Sequence, residues 1–143
     1  MALDDVYTEV LGEHSRNPDH KHRLSAATCQ LKGRNPSCGD EITIELQVEG
    51  SIVKDAAFTG IGCAISQAST DIMAELIRGK SVEDARRLAG KFIAMIKGDL
   101  TDEDELEELD EALALKNVSH MPARVKCAVL AWHTLEDALK AEK

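Results

Sequence analysis

Four side chains that can bind a metal stand out in this sequence of 143 residues. They occur in the segments "NPSCGDEI", "GIGC" and "MPARVKCAVLAW", and they are Cys38, Asp40, Cys63 and Cys127. Three thiolates and one carboxylate are a ligand set suited to tetrahedral zinc. The residues are far apart along the chain, so the fold has to bring them together.

Strand parity predicts where Cys38 and Asp40 point. The segment "EITIELQVE" alternates apolar and polar residues, which is typical of a strand with one buried face. Residues 38 and 40 have the parity of that buried row, so both would face the core if the extended conformation runs back through Gly39. An ionised carboxylate in such a place is costly unless it is paired or bound to a cation.

The other two cysteines lie where helices begin. Cys63 falls at the end of the third predicted strand, where the chain turns into a helix whose amino terminus favours a thiolate. Cys127 lies in the first turns of the last predicted helix, and Arg124, three residues earlier, shares its face. A fixed cation there also favours the ionised thiol.

Two interpretations of the cysteines stay open on this reasoning. Four anionic ligands around a divalent ion leave a net charge of about −2, which Arg124, Lys126 and helix dipoles could balance. Against a shared site, the sequence has no C-x-x-C pair, and reduced cysteines often fill cores. Cys29, in the apolar row of a short strand, is interpreted as core filling.

Hydrophobic periodicity predicts the elements that must position these side chains. The expected order is a helix at 3–15, strands at 27–32, 41–49 and 52–60, and helices ending at Gly79 and near Gly98, from Thr101 and after Pro122. Short connections favour an antiparallel meander. The prediction is an α+β fold, with a three-stranded antiparallel sheet, an N-terminal helix and several helices packed on it, in one domain spanning 1–143.

The acid-rich stretch "TDEDELEELDEALAL" predicts a surface helix with one buried edge. Thr101 is the expected cap, and Leu106, Leu109 and Leu113 form the apolar stripe. A docking patch for a basic partner is the alternative interpretation.

The remaining residues with possible chemistry have simpler explanations. His14 is expected at a helix edge, His20 and His22 in solvent, and His120 on a surface loop. Trp132 has the helical spacing of a core residue.

Composition excludes several classes of function. With 17 basic and 26 acidic residues the formal charge is −9, which gives no electrostatic footprint for nucleic acid. The sequence has no apolar run of membrane-spanning length, and "MALDDVYTEV" lacks the features of a signal peptide. We therefore expect a cytoplasmic protein that binds neither membranes nor nucleic acid, with its cysteines not in disulfides.

Three segments, "NPSCGDEI", "TGIGCAISQAS" and "MPARVKCAVLAW", together resemble the SufU branch of the IscU-like family. The similarity covers nearly the whole chain, including "HSRNPDH". The resemblance implies an α+β fold with a small antiparallel sheet. It also implies that the metal ligands fall on Cys38, Asp40, Cys63 and Cys127.

Two departures separate this chain from the scaffold branch of that family. The scaffold branch has a histidine immediately before its third cysteine, where this chain has Lys126. The stretch from Arg78 to Val118 also looks like the insertion typical of SufU. Both point to the zinc-bound sulfur-transfer branch.

The SufU resemblance implies a partner and a set of roles. A cysteine desulfurase of the SufS type, which carries its own pyridoxal phosphate, would supply persulfide sulfur, and Cys38 would accept it and relay it to downstream iron–sulfur assembly proteins. Asp40 would hold the metal, and Arg124 would position or neutralise that acid. The alternative is a scaffold on which an iron–sulfur cluster is assembled.

Overall fold

A computed structural model describes residues 3–36 and 39–140, with the backbone alone for residues 3–8. Its helices are α1 Leu3–Arg16, α2 Ala64–Ile77, α3 Val82–Lys97, α4 Glu103–Leu106 and α5 Pro122–Lys140, and its strands are β1 Cys29–Asn35, β2 Asp40–Glu49 and β3 Ile52–Ile61. A 3₁₀ segment, Glu107–His120, connects α4 to α5.

The three strands form one antiparallel sheet in the order β1-β2-β3. A two-residue turn joins β2 to β3, with positive φ at both Gly50 (56°) and Ser51 (69°), the geometry that matches the twist of a tight hairpin. The predicted meander and α+β fold are confirmed.

One face of β2 builds the floor of the core. Ile42, Ile44 and Leu46 are completely buried, as the alternation predicts. Above them, Trp132 of α5 stacks on Phe92 of α3, with ring centroids 4.1 Å apart. The indole N–H donates to Ser69 Oγ at 2.9 Å, so Trp132 is a satisfied core residue.

The predicted first strand is wrong in its bounds and in part of its pattern. β1 runs from Cys29 to Asn35 rather than over 27–32, and Ala27 is exposed. Cys29 is half-buried and packs against the core, whereas Leu31 of the same row is 36% exposed. Since β1 is an edge strand of the sheet, only part of this row is covered.

The helix predicted in the acid-rich stretch is interrupted. Asp102, not Thr101, caps α4, because its carboxylate accepts the N–H groups of residues 104 and 105 at 2.9 and 3.4 Å. The backbone then leaves helical geometry at Asp110 (φ 50°, ψ −124°). This kink changes which leucines are buried. Leu115 is fully buried, whereas Leu113 of the predicted apolar stripe is half-buried.

The glycines predicted to end α2 and α3 do so. Gly79 (φ 81°) follows the end of α2, and Gly98 (φ 83°) caps α3. Ser81 Oγ accepts the Asp84 N–H at 3.0 Å at the start of α3. Within 3–36 and 39–140, every helix is too short or too polar to cross a bilayer.

Candidate metal centre

Asp40 lies at the first position of β2 with its carboxylate inside the protein. Only 2% of the residue is exposed, in agreement with the parity prediction. Oδ1 accepts the backbone N–H of Cys63 at 3.0 Å, whereas the buried Oδ2 has no hydrogen-bond partner among the described residues. A buried acceptor without a donor costs free energy, so this oxygen is the kind of atom that a cation satisfies.

Cys63 is the N-cap of α2. Its backbone is extended (φ −71°, ψ 170°), and its Sγ accepts the backbone N–H of Ser66 at 3.4 Å. The sulfur therefore lies at the positive end of the helix, where negative charge is favoured. The position predicted from "GIGC" is correct.

Cys127 brings the third ligand from the other end of the chain. It is 1% exposed on α5, and Asn35 Nδ2 donates to its Sγ at 4.0 Å. One ligand atom from each of Asp40, Cys63 and Cys127 lies within 4.8 Å of the others. Sulfurs bound tetrahedrally to one zinc lie about 3.8 Å apart, given Zn–S bonds of about 2.3 Å. The arrangement therefore fits a shared ion.

Gly62 allows the strand end and the helix start to approach each other. A Cβ built on it would lie 2.8 Å from Asp40 Oδ1 and 3.0 Å from Ser66 Oγ, so a side chain at this position would force Asp40 or Ser66 to shift. The glycine therefore keeps Asp40 against the first turn of α2. The sequence singled out Cys63 but not this contact, which only the fold reveals.

Cys38 lies outside the described residues, so its place at the site stays a prediction. The flanking residues are defined, because Asn35 of β1 pairs with Asp40 of β2 and only residues 36–39 separate them in the chain. Gly39 has φ +72°, so the extended conformation of β2 does not continue through it. The assumption that strand parity runs back to residue 38 is therefore wrong.

Arg124 and Lys126, expected to balance the charge of this site, are exposed, and so is His120, which is expected on a surface loop. Arg124 and Lys126 lie on the first turns of α5, and His120 lies just before that helix. Within residues 3–36 and 39–140, no ion pair joins Arg124 to Asp40. The role expected of Arg124 at Asp40 therefore stays a prediction.

Three acids pair with the amino-terminal histidines. His14 Nδ1 lies 2.6 Å from Asp71 Oδ2, and its Nε2 contacts Glu111. His20 is 6% exposed and its Nε2 lies 2.5 Å from Glu75, so the expectation that it is solvated is wrong. Its backbone N–H also donates to Asp71 at 2.9 Å. These contacts fasten α1 and the following loop to α2.

A groove of about 800 Å³ opens beside Cys63. Its walls come from α1, the first turn of α2 and the Glu107–His120 segment, and they include Leu11, Ile65, Val118 and Met121. Arg16 and His120 add polar edges, and Met121 is 50% exposed. An apolar groove of this size can hold a segment of another protein.

Fold and site together define a class of protein. Residues 6–142 match the family described as NifU-like N terminal domain, and the chain belongs to this IscU-like family. The resemblance to the IscU-like family, inferred from the three cysteine motifs, is thus confirmed.

Named relatives and a solved structure are similar over nearly the whole chain. The iron–sulfur cluster assembly scaffold protein IscU of Thermotoga maritima is 41% identical over 98% of this chain and 96% of its own. The zinc-dependent sulfurtransferase SufU of Bacillus subtilis is 38% identical over 99% of this chain and 94% of its own. A crystal structure from Fervidobacterium islandicum is described as a candidate iron–sulfur cluster assembly scaffold of the SUF system. It superposes with a TM-score of 0.86 at 36% sequence identity, and the match covers 96% of this chain and 99% of that one.

Proposed function

We propose that this chain is a zinc-dependent sulfurtransferase, which accepts persulfide sulfur from a cysteine desulfurase and relays it for iron–sulfur cluster biogenesis. The observation that carries the proposal is the convergence of the Asp40, Cys63 and Cys127 ligand atoms within 4.8 Å. The Bacillus subtilis relative, named a zinc-dependent sulfurtransferase, supports it. So does Lys126, which replaces the histidine of the scaffold branch.

Cys38 would complete the ligand set with Asp40, Cys63 and Cys127. Two residues of chain span at most about 7 Å, so a thiol two positions before Asp40 is within reach of the site. When bound, zinc supplies a positive charge that keeps cysteine ligands deprotonated at neutral pH. Asp40 contributes a hard oxygen among sulfurs, and its Oδ1 keeps the N-cap of α2 in place.

The transfer step needs no external oxidant. The Cys38 thiolate attacks the outer sulfur of the partner's cysteine persulfide, and a new S–S bond forms. The bond between the two persulfide sulfurs breaks, and its electron pair leaves with the partner's cysteine as a thiolate. Cys38 then carries the outer sulfur, with its proton, as a persulfide.

The groove beside Cys63 supports a docking role for the desulfurase. An apolar wall from α1 and α2 would hold a loop of the partner. Arg124, exposed on the first turn of α5, would position or neutralise Asp40. This exchange belongs in the cytoplasm, where thiols stay reduced.

A metal analysis combined with a desulfurase assay tests the proposal. We expect about one zinc per purified chain, since the four ligands form one tetrahedral set, and faster turnover of a cognate SufS-type desulfurase when the chain is added. Cys38→Ala should abolish persulfide acceptance without unfolding the protein, whereas Cys29→Ala should not change it. A chain that contains zinc but leaves desulfurase turnover unchanged would refute the transfer function.

A scaffold function is the second candidate, favoured by the Thermotoga maritima relative, which is named a scaffold protein. Anaerobic reconstitution with iron and sulfide distinguishes the two. A stable coloured cluster that moves intact to an apo-protein would support the scaffold. Zinc retained under the same conditions would support sulfur transfer.

A further inference from the structure

We propose that Asn35 is a positioning residue of the metal centre, whose side-chain amide orients the sulfur of Cys127 toward Asp40 and Cys63. The inference rests on the metal-binding part of the proposed function. It assigns a role to a residue that is not itself a ligand.

The packing of β1 along α5 aims Asn35 at Cys127. Cys29 Sγ lies 3.7 Å from the carbonyl oxygen of Ala138, near the end of α5. A Cβ on Gly33 would lie 2.0 Å from Thr134 Oγ1, so β1 and α5 are in close contact there. Strand and helix run in opposite directions, and two residues beyond Gly33 the same face of β1 reaches Cys127.

Asn35 also faces the second ligand. It pairs with Asp40 across the β1–β2 ladder, and residues paired in this way present their side chains on the same face of the sheet. Asn35 is 6% exposed and Asp40 2%. A buried amide needs a hydrogen-bond partner, and Asn35 Nδ2 has Cys127 Sγ at 4.0 Å.

A neutral donor suits the charge of this site. Three thiolates and a carboxylate around a divalent ion leave excess negative charge in a chain whose formal charge is already −9. The cations that could offset it, Arg124 and Lys126, are exposed. An amide N–H donating to a thiolate spreads the charge of the sulfur, and such a bond is stronger to an ionised than to a neutral acceptor.

The alternative explanation is that Asn35 has only a structural role, in the turn before Pro36. That role would affect folding and would leave the properties of a bound metal unchanged. Measurements of metal binding therefore distinguish the two explanations, whereas measurements of stability alone do not.

The test compares Asn35→Asp and Asn35→Leu with Thr134→Val. The first two variants keep the approximate shape of the side chain and remove the N–H donor. Thr134→Val is the matched control, because Thr134 is 4% exposed on the same β1–α5 contact and its hydroxyl donates only to the Leu130 carbonyl, at 2.8 Å. Zinc affinity is measured by competition with a chromophoric chelator. The thiolate-to-metal charge-transfer band is recorded with Co²⁺, and apo-protein melting is recorded for each variant.

We expect both Asn35 variants to bind zinc about 10- to 100-fold more weakly than the wild type, the usual effect of losing a hydrogen bond to a metal ligand. The cobalt charge-transfer band should shift, and the apo-protein should melt near the Thr134→Val control. If Asn35→Asp fails to fold, Asn35→Leu decides.

Zinc affinity within twofold of the wild type with an unchanged cobalt band would overturn the proposal. So would failure of both Asn35 variants to fold while Thr134→Val folds. A wild-type chain that binds no zinc would remove both this inference and the proposed function.

Discussion

At the scale of single residues, Cys63 has two roles that can be separated. Its sulfur caps α2 by accepting the Ser66 N–H, and it points to the group of ligands with Asp40 and Cys127. Serine is a preferred N-cap residue but a poor ligand for zinc in this setting. The same substitution therefore preserves one role and removes the other.

For Cys63→Ser we expect the apo-protein to melt within a few degrees of the wild type and to lose most of its zinc. Zinc titration and apo-protein melting, measured on the same preparation, check this. Cys63→Ala should lose the zinc and also about 1 kcal/mol of stability with the cap. Full zinc occupancy in Cys63→Ser would remove Cys63 from the ligand set.

Gly62 permits a close contact with Asp40 and Ser66 that any side chain at this position would disturb. In Gly62→Ala the new methyl group would push against Asp40 Oδ1 at 2.8 Å, so we expect a loss of about 1–3 kcal/mol of stability. We also expect weaker zinc binding, because Asp40 is displaced. Chemical denaturation and zinc competition measure the two effects.

The matched control for that variant is Gly90→Ala in α3. Among the described residues, apart from its chain neighbours and the backbone of its own helix, no atom lies within 4 Å of a Cβ at this position, so the substitution should stabilise the helix by about 0.5–1 kcal/mol. Equal stability and equal zinc affinity in Gly62→Ala and the wild type would contradict the crowding at Asp40.

At the scale of elements, the attachment of α1 depends on the charge of His14. Burial lowers the pKa of this imidazole, but hydrogen bonds and charge from Asp71 and Glu111 outweigh it, so that the pKa is raised above 6.5. The protonated ring can donate to both acids. Because the folded pKa is the higher one, the stabilisation is complete below the unfolded value of about 6.5 and is lost as the pH rises through the folded value.

We therefore expect α1 to exchange its amide hydrogens faster at alkaline pH than at pH 6, after correction for intrinsic exchange. His14→Gln should remove this dependence and cost about 1–2 kcal/mol at pH 6, as expected for a hydrogen bond to a charged group. Hydrogen exchange and pH-dependent unfolding provide the measurement. His22→Gln is the control, since His22 is exposed and its Nδ1 faces the Arg23 carbonyl. A pH response that persists in His14→Gln would show that the contacts of His14 with Asp71 and Glu111 do not cause it.

Elements that depend on nearby residues were predicted correctly from the sequence, and those that depend on distant residues were not. The strand Asp40–Glu49 and the helix ends at Gly79 and Gly98 were predictable because alternation and capping act within a few residues. The kink at Asp110 and the exposure of Leu31 were not, because neighbouring elements decide them. His20 was misassigned for the same reason, since its partner Glu75 is 55 residues away.

The candidate site divides in the same way. Residue type and strand parity indicated Asp40, Cys63 and Cys127 as ligands, whereas the supporting residues Asn35 and Gly62 have no signature outside the fold. Asn35 lies in the quoted segment "NPSCGDEI", and pairing β1 with β2 in a hairpin would have placed it opposite Asp40. For Cys38, the expectation remains a prediction.

At the scale of the whole molecule, the site joins distant parts of the chain. Its ligand atoms come from β2, the N-cap of α2 and α5, so a bound ion would link the sheet to two helices. Because the unfolded chain does not hold these groups together, metal binding contributes to folding free energy.

We therefore expect zinc to raise the melting temperature and a chelator to lower it. At a free zinc concentration about 100 times Kd, the gain is about 2.7 kcal/mol. Differential scanning calorimetry with and without chelator measures it, and the gain should disappear in Cys127→Ser. The same chelator-dependent shift in Cys127→Ser and in the wild type would mean that the ion binds elsewhere.

Zinc content per chain, measured across a set of cysteine variants, tests the convergence of the ligands most directly. The wild type and Cys29→Ser should each carry about one zinc, because Cys29 contacts the Ala138 carbonyl and lies outside the ligand group. Cys63→Ser and Cys127→Ser should carry little or none. Zinc that is absent from the folded wild type, or that survives in both of these variants, would contradict the account.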